Sequence, residues 1–195
     1  MSTFPRVGIV GGNGWIGGAL ARAFVAADLL PPSRLTLSCR SEAPDWLPEA
    51  AWTHDNQALA DNADVVILSV RPQEWPAVNL AATGKLVVSV MAGIPLADLA
   101  RRTGTVRALP NAAAQVGSSY TPWTATTAVT DADRAIVRRI FRTCGTGRIF
   151  EKTGENPADT VAAFVDYHRG SDRGHAGCRL RKGRQRRSRR SAGEI

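Results

Sequence analysis

The stretch Arg6-Val7-Gly8-Ile9-Val10-Gly11-Gly12-Asn13-Gly14-Trp15-Ile16-Gly17-Gly18 limits what this 195-residue chain can fold into more than any other. Its apolar run (Val7, Ile9, Val10) breaks into glycines and then into a helical pattern of Ile16, Leu20, Phe24 and Ala27, the order strand, tight turn, helix. Gly12, Gly14 and Gly17 are spaced as G-x-G-x-x-G within it. In that setting Gly12 is expected to allow the turn, Gly14 to let the backbone approach a diphosphate, and Gly17 to let the helix pack on the strand. A helix beginning near Trp15 points unpaired N–H groups and its positive dipole end at the same place. The implied ligand is a dinucleotide. A bare βα turn has the same glycines, and what favours the ligand is the strand–helix alternation that follows.

Residues 34–39 alternate as a second strand that ends at Arg40-Ser41. At that strand end a carboxylate commonly meets the ribose hydroxyls of NAD, whereas an arginine accompanies the 2′-phosphate of NADP. Arg40 and the Ser41 hydroxyl therefore favour NADP, the alternative being that Arg40 is simply a solvated surface residue. Residues 42–50, with Pro44 and Pro48, read as a loop, and 51–53 as a short strand. Asp55 is expected to cap a helix running through Leu59, a role open to Asn56 as well. Residues 64–70 form a continuous apolar run, as in a central parallel strand covered on both faces. Its carboxyl end delivers Ser69-Val70-Arg71-Pro72-Gln73 to the edge where ligands of open α/β sheets gather, and Pro72 suits the first turn of a helix.

Residues 85–90 are a further buried strand leading to Met91-Ala92-Gly93-Ile94, small enough for the backbone to come near a ring or ribose. A helix begins at Pro95, and the strand over 105–109 stops at Pro110-Asn111. The Asn111 amide either meets a nicotinamide or substrate, or shapes the turn. Residues 123–129 read as a more exposed strand. Asp131 is expected to cap a helix with Ile136, Val137, Ile140, Phe141 and Cys144 on one face, ended by Gly145. Residues 147–151 add a last short strand, and another helix starts at Pro157. About eight strands alternating with helices predict an α/β fold: a doubly wound, mostly parallel, Rossmann-like sheet.

The net charge of +8 suggests nucleic acid until it is located along the chain. Residues 1–163 hold fifteen Lys/Arg against fourteen Asp/Glu, whereas 164–195 hold ten against three. The chain is therefore expected to divide into a dinucleotide-binding domain over 1–163 and a basic, low-complexity, disordered tail over 164–195. The tail has no aromatic residue after Tyr167 and no reader motif, so binding to nucleic acid is not expected. No run is long enough to span a bilayer and no signal peptide is evident, which predicts a soluble, cytoplasmic protein with no membrane partner. Cys39, Cys144 and Cys178 lack disulfide or metal-ligand spacing, and no metal site is expected. The only histidines are His54, His168 and His175. His54 is expected in a surface turn, and Tyr120 and Thr121 as loop polarity, so no catalytic residue is named.

The landmarks taken together resemble pyrroline-5-carboxylate reductase, the proline-synthesis enzyme, over roughly residues 5 to 163. They are the glycine turn, Arg40-Ser41, Asn56, residues 66–73, residues 88–94, and Arg107-Ala108-Leu109-Pro110-Asn111 followed by Val116-Gly117. The resemblance implies an NADP(H)-binding domain in which Gly12, Gly14, Trp15 and Ile16, with Asn13 among them, bind the diphosphate. It implies that Arg40 and Ser41 take the 2′-phosphate, that Asn56, Ser69, Val70, Arg71 and Pro72 touch the adenosine side, and that Met91 and Ala92 lie near the nicotinamide ribose. It further implies a small-molecule cyclic imine as substrate and a homo-oligomer built through a helical second domain. This sequence departs from the family in a glycine turn one residue longer, in Arg71 for a lysine, in Ala113 for a proline and in Ser119 for a glycine. After Ala163 the family's Gly-Ser-Gly-Pro turn is not found, so a truncated or out-of-frame ending, inactive alone, is the expectation. Prephenate dehydrogenase and deazaflavin-linked NADP reductase domains share the amino-terminal pattern, and a non-catalytic NADPH-binding module is a further alternative.

Overall fold

The structure, a computed structural model, describes residues 4–99, 104–145 and the backbone of 149–151. The proposed division at residue 163, the basic tail, the helix at Pro157, Cys178, His168 and His175 all lie outside the described residues.

Eight strands form one sheet: β1 (Val7–Val10), β2 (Leu35–Ser38), β3 (Ala51–Thr53), β4 (Val65–Leu68), β5 (Leu86–Ser89), β6 (Thr105–Ala108), β7 (Thr121–Ala125) and β8 (Ile149–Glu151). Their spatial order is β3-β2-β1-β4-β5-β6-β7-β8, and every pair is parallel except β6 with β7. The mostly parallel, Rossmann-like sheet is thus the one the alternation predicts. Among the described residues four α-helices accompany it: α1 (Trp15–Ala26), α2 (Asn56–Asp61), α3 (Leu96–Leu99) and α4 (Asp131–Arg142). No described helix is long and apolar enough to cross a membrane.

Successive strand residues point to opposite faces, so each central strand divides its side chains between two cores. Val7 and Ile9 of β1, Val65 and Ile67 of β4 and Val88 of β5 pack with Leu20 and Phe24 of α1 and with Val137, Ile140 and Phe141 of α4. Val10, Val66, Leu68 and Val87 pack on the other face with Leu59 of α2 and Leu99 of α3. This two-sided burial is why the strands read as unbroken apolar runs. Each fully buried Leu or Phe of α1 contributes about 1.5–3 kcal/mol, enough to hold a helix whose own capping is weak.

Two boundaries differ from expectation. β7 begins at Thr121, two residues before the strand read from the sequence, and Thr121, Pro122 and Trp123 are buried rather than exposed. The alternation of 123–129 is therefore that of a strand end and the turn beyond it. At α4 the cap is Thr130, not Asp131. The Thr130 hydroxyl accepts from Asp133 N at 3.1 Å while Asp133 Oδ2 accepts from Thr130 N at 3.0 Å, a reciprocal capping box that leaves Asp131 in the first helical turn.

Gly8, in mid-β1, faces α2, where an added Cβ would run into the Leu59 side chain and lie 3.1 Å from Ala63 Cβ. Leu59 is fully buried and cannot yield. Gly8→Ala is expected to cost about 1–3 kcal/mol, read as a fall in Tm of about 2–12 °C by circular dichroism; an unchanged Tm would contradict this packing. Cys144, fully buried beneath α4, has its thiol pushed by burial from an ordinary 9.0 up to about 11. A raised folded-state value favours the neutral thiol, so its contribution is complete below pH 9 and is lost as pH rises through about 11. Urea melts should therefore show stability falling across that window, and the Cys144→Ala variant should show a shallower fall; identical slopes would contradict it.

Candidate functional site

From β1 the chain turns to one side to form β2 and β3, then returns across to form β4 on the other side. The carboxyl ends of β1, β2 and β4 are thereby left around a crevice at the point where the winding reverses, the general ligand position in open α/β sheets. A cleft of about 650 Å³ lies there. It is lined by Gly11, Asn13 and Gly14 after β1, by Ser38, Arg40 and Ser41 at the end of β2, and by Ser69, Val70 and Arg71 after β4. Asn56 and His54 close it from the α2 side, and Gln73 and Glu74 from the turn after β4.

The glycine turn differs from its sequence reading in one respect. Gly11, not Gly12, takes the left-handed conformation, at φ +81°, and a Cβ on it would lie 2.6 Å from the Ser69 carbonyl oxygen. Gly12 is buried with ordinary backbone, and its missing Cβ leaves room for Leu37, 2.8 Å away. A Cβ on Gly17 would run into the Gly11 carbonyl oxygen. The turn therefore works through Gly11, Gly14 and Gly17, three residues apart. The turn is closed where Gly14 N donates to Gly11 O at 2.9 Å.

Ser38, which sequence reasoning missed, fastens this turn to β2. Its carbonyl accepts from Gly12 N at 2.8 Å, and its buried hydroxyl accepts from Gly11 N at 3.3 Å and donates to Asn56 Oδ1 at 2.7 Å. Its only signal in the sequence is a serine closing the alternating strand Leu35–Ser38. Asn56 is thus the first residue of α2 and a partner of Ser38, while the cap is Asp55, whose carboxylate accepts from Gln57 N and Ala58 N.

The three longest helices differ at their starts in a telling way. α2 is capped by Asp55 and α4 by Thr130, but α1 begins at Gly14 with no side-chain cap and no acid in its first turn. Its first intrahelical donor is Gly18, to Gly14 O at 2.8 Å. The amides of Trp15, Ile16 and Gly17 therefore lie before the intrahelical ladder, beside the cleft, where an anion can accept from them.

On the far rim, Arg40 is a side chain 83% exposed whose Nη2 meets Glu74 Oε1 at 2.7 Å. Arg71 is exposed beside it and has no ion-pair partner among the described residues. Trp46, from the loop after β2, donates from Nε1 to Asn13 Oδ1 at 3.5 Å, stands edge-on to Trp52 at 5.4 Å and takes Arg22 over its face at 4.4 Å. That loop is thereby held against the glycine turn. His54 is exposed, as expected, its Nδ1 2.8 Å from Cys39 O.

Eight of the residues singled out from the sequence line this one cleft: Asn13, Gly14, Arg40, Ser41, Asn56, Ser69, Val70 and Arg71. Gly12 lies buried beneath it, Trp15 is 60% exposed at the start of α1, and Ile16 packs partly on the core. Pro72 opens a 3-10 turn rather than an α-helix. The Met91 side chain belongs to the core, with Ala92 exposed after it. Asn111 shapes its turn: its Oδ1 accepts from Ala113 N at 3.0 Å and its N donates to Ser119 Oγ at 3.1 Å. Among the described residues no group of three or more His, Cys, Asp or Glu is placed to hold a metal. Backbone donors at one end of the cleft and hydroxyls with guanidinium at the other match the donor set that a phosphorylated dinucleotide asks for.

The family described as NADP oxidoreductase, coenzyme F420-dependent, matches residues 6–93. The pyrroline-5-carboxylate reductase of Arabidopsis thaliana is 32% identical over 155 residues, 72% of this chain and 55% of that protein. That of Escherichia coli (strain K12) is 30% identical over 176 residues, 80% of this chain and 63% of that protein. Among solved structures, a pyrroline-5-carboxylate reductase from Coxiella burnetii superposes with a TM-score of 0.72 at 25% identity, covering 82% of this chain and 63% of that one. The Plasmodium falciparum pyrroline carboxylate reductase with NADP bound gives a TM-score of 0.66 at 22% identity, covering 78% of this chain and 59% of that one. The chain spans about half the length of most of the curated relatives it matches. In sequence and in fold, the described part of this chain is similar to part of the pyrroline-5-carboxylate reductases.

Proposed function

We propose that the chain binds NADP(H) in the cleft between β1, β2 and β4 and is the coenzyme half of a reductase acting on a cyclic imine of the pyrroline-5-carboxylate type, in proline biosynthesis. The observation that carries the reading is the start of α1: among the described residues, it is the one long helix with no side-chain cap at its amino terminus, and that end borders the cleft to which Arg40 and Ser41 also belong. In this reading the diphosphate lies against the Gly12, Asn13, Gly14, Trp15 and Ile16 segment and accepts from its amides other than those of Gly12 and Gly14, which bond Ser38 O and Gly11 O. Arg40 and Ser41 hold the 2′-phosphate. Asn56 and residues 69–72 border the adenosine, and Met91 and Ala92 border the nicotinamide ribose, with Asn111 holding the shape of the neighbouring turn.

A bound nicotinamide supplies the hydride. The work left to this chain is positional: a rigid glycine turn fixes the diphosphate, and the sheet edge fixes the ribose along the carboxyl ends of the strands. No residue is assigned as proton donor. A cytoplasmic location belongs to the proposal through the family resemblance; a homo-oligomer does not, because the helical domain that would build it is not found in this sequence. The fold alone does not select the substrate, since sites rather than folds carry chemistry.

Titration calorimetry on the full chain should show heat with NADPH and weaker binding of NADH. Arg40→Ser removes a charge-assisted contact worth about 1.5–3 kcal/mol. It should therefore weaken NADPH about 10- to 100-fold and leave NADH within about twofold. Equal losses for both coenzymes would contradict the assignment of Arg40. Consumption of NADPH with pyrroline-5-carboxylate would support the substrate, and binding without turnover would leave a coenzyme-binding module.

A further inference from the structure

Glu74 enters the cleft from the turn after β4, on the side away from β2, and its carboxylate meets the guanidinium of the solvent-exposed Arg40. The rim so carries two opposed devices. A guanidinium at the end of β2 suits a 2′-phosphate, and a carboxylate 2.7 Å from it suits the vicinal hydroxyls of an unphosphorylated ribose. Resting on the reading of this cleft as a coenzyme site, we infer that Glu74 sets the choice between NADPH and NADH by competing with the 2′-phosphate for Arg40.

The physical argument is one of charge. Of the formally charged side chains that line the cleft, Arg40 and Arg71 are cationic and Glu74 is anionic. With Arg40 engaged, Arg71 holds the only uncompensated charge among them. A 2′-phosphate must draw Arg40 away from Glu74 or share it, and in either case it sits near a like charge. The guanidinium can turn to the phosphate easily, because an exposed pair is held weakly and the arginine side chain is 83% exposed. Glu74 is the less mobile partner, 28% exposed in a turn that begins at Pro72. An unphosphorylated ribose meets no such repulsion and can donate a hydroxyl proton to the carboxylate. The expected result is a site whose preference for NADPH is real but held down, with NADH kept within reach.

The test is calorimetry on the full chain, parent and Glu74→Gln, with NADPH, NADH, adenosine 2′,5′-bisphosphate and AMP. The variant should bind NADPH and the bisphosphate about fivefold tighter, the scale of one exposed ion pair, and bind NADH and AMP no tighter than the parent. In an Arg40→Ser background the gain should shrink, because the competition for Arg40 is gone and only the repulsion between Glu74 and the phosphate is left to relieve. An unchanged NADPH-to-NADH ratio, weaker NADPH binding, or a gain undiminished without Arg40 would each overturn the inference while leaving the coenzyme reading intact. A parent chain that binds neither coenzyme would overturn both. Thermal melts confirm that the variants are folded, which their partly exposed position in a surface turn favours.

Discussion

The close approach of Gly11 to the backbone at the end of β4 and to the first turn of α1 is the constraint on which the rest of the site depends. An added Cβ at Gly11 would meet Ser69 O at 2.6 Å, and one at Gly17 would run into Gly11 O. Only with both positions bare can α1 leave β1 at the angle that lets Leu20 and Phe24 reach the core while its first amides stay beside the cleft. The same contact fixes β1 against β4 at the switch point, and so decides where three strand ends converge. A site made this way is largely backbone, which suits a diphosphate: its oxygens ask for several fixed donors rather than one mobile cation.

Around that centre the polar side chains act as fasteners. Ser38 ties the turn to β2 through its hydroxyl and its carbonyl, and passes the tie to Asn56 at the start of α2. Trp46 braces the turn from outside through Asn13, and is itself held between Trp52 and Arg22. The geometry the ligand would need is thus fixed beforehand, so little ordering remains to oppose binding. Arg40 and Glu74 differ from these fasteners in being surface groups held chiefly by each other. In the proposed reading they discriminate between ligands rather than hold the fold.

Much of this was legible in the sequence, for reasons that can be located. Two-sided strands at 7–10, 65–68 and 86–89 show as apolar runs because both faces are covered, and the glycine spacing at their head marks a turn that only glycines can make. Asp55 before α2 was legible as a cap because the signal is local. What escaped depended on three-dimensional context. Which of Gly11 and Gly12 bears the positive φ is decided by Ser69 and Leu37, far along the chain. Ser38 becomes a fastener only once β2 lies against β1, and Glu74 meets Arg40 only because β2 and β4 flank the same strand. Asn111 had two readings from sequence, and its bonds to Ala113 and Ser119 show the one that shapes the turn. β7 was misplaced by two residues because a buried Thr-Pro pair does not look like a strand.

The central claim is that the amide groups at the start of α1 receive the coenzyme's diphosphate. Backbone amide shifts of the full chain, followed by nuclear magnetic resonance as NADPH is added, test it most directly. The account predicts that the Asn13, Trp15 and Ile16 amides move together, downfield and saturably, as donors to a phosphate do, with Arg40 and Ser41 responding to NADPH more than to NADH. Saturable shifts elsewhere in the sheet with those three amides unmoved would contradict it.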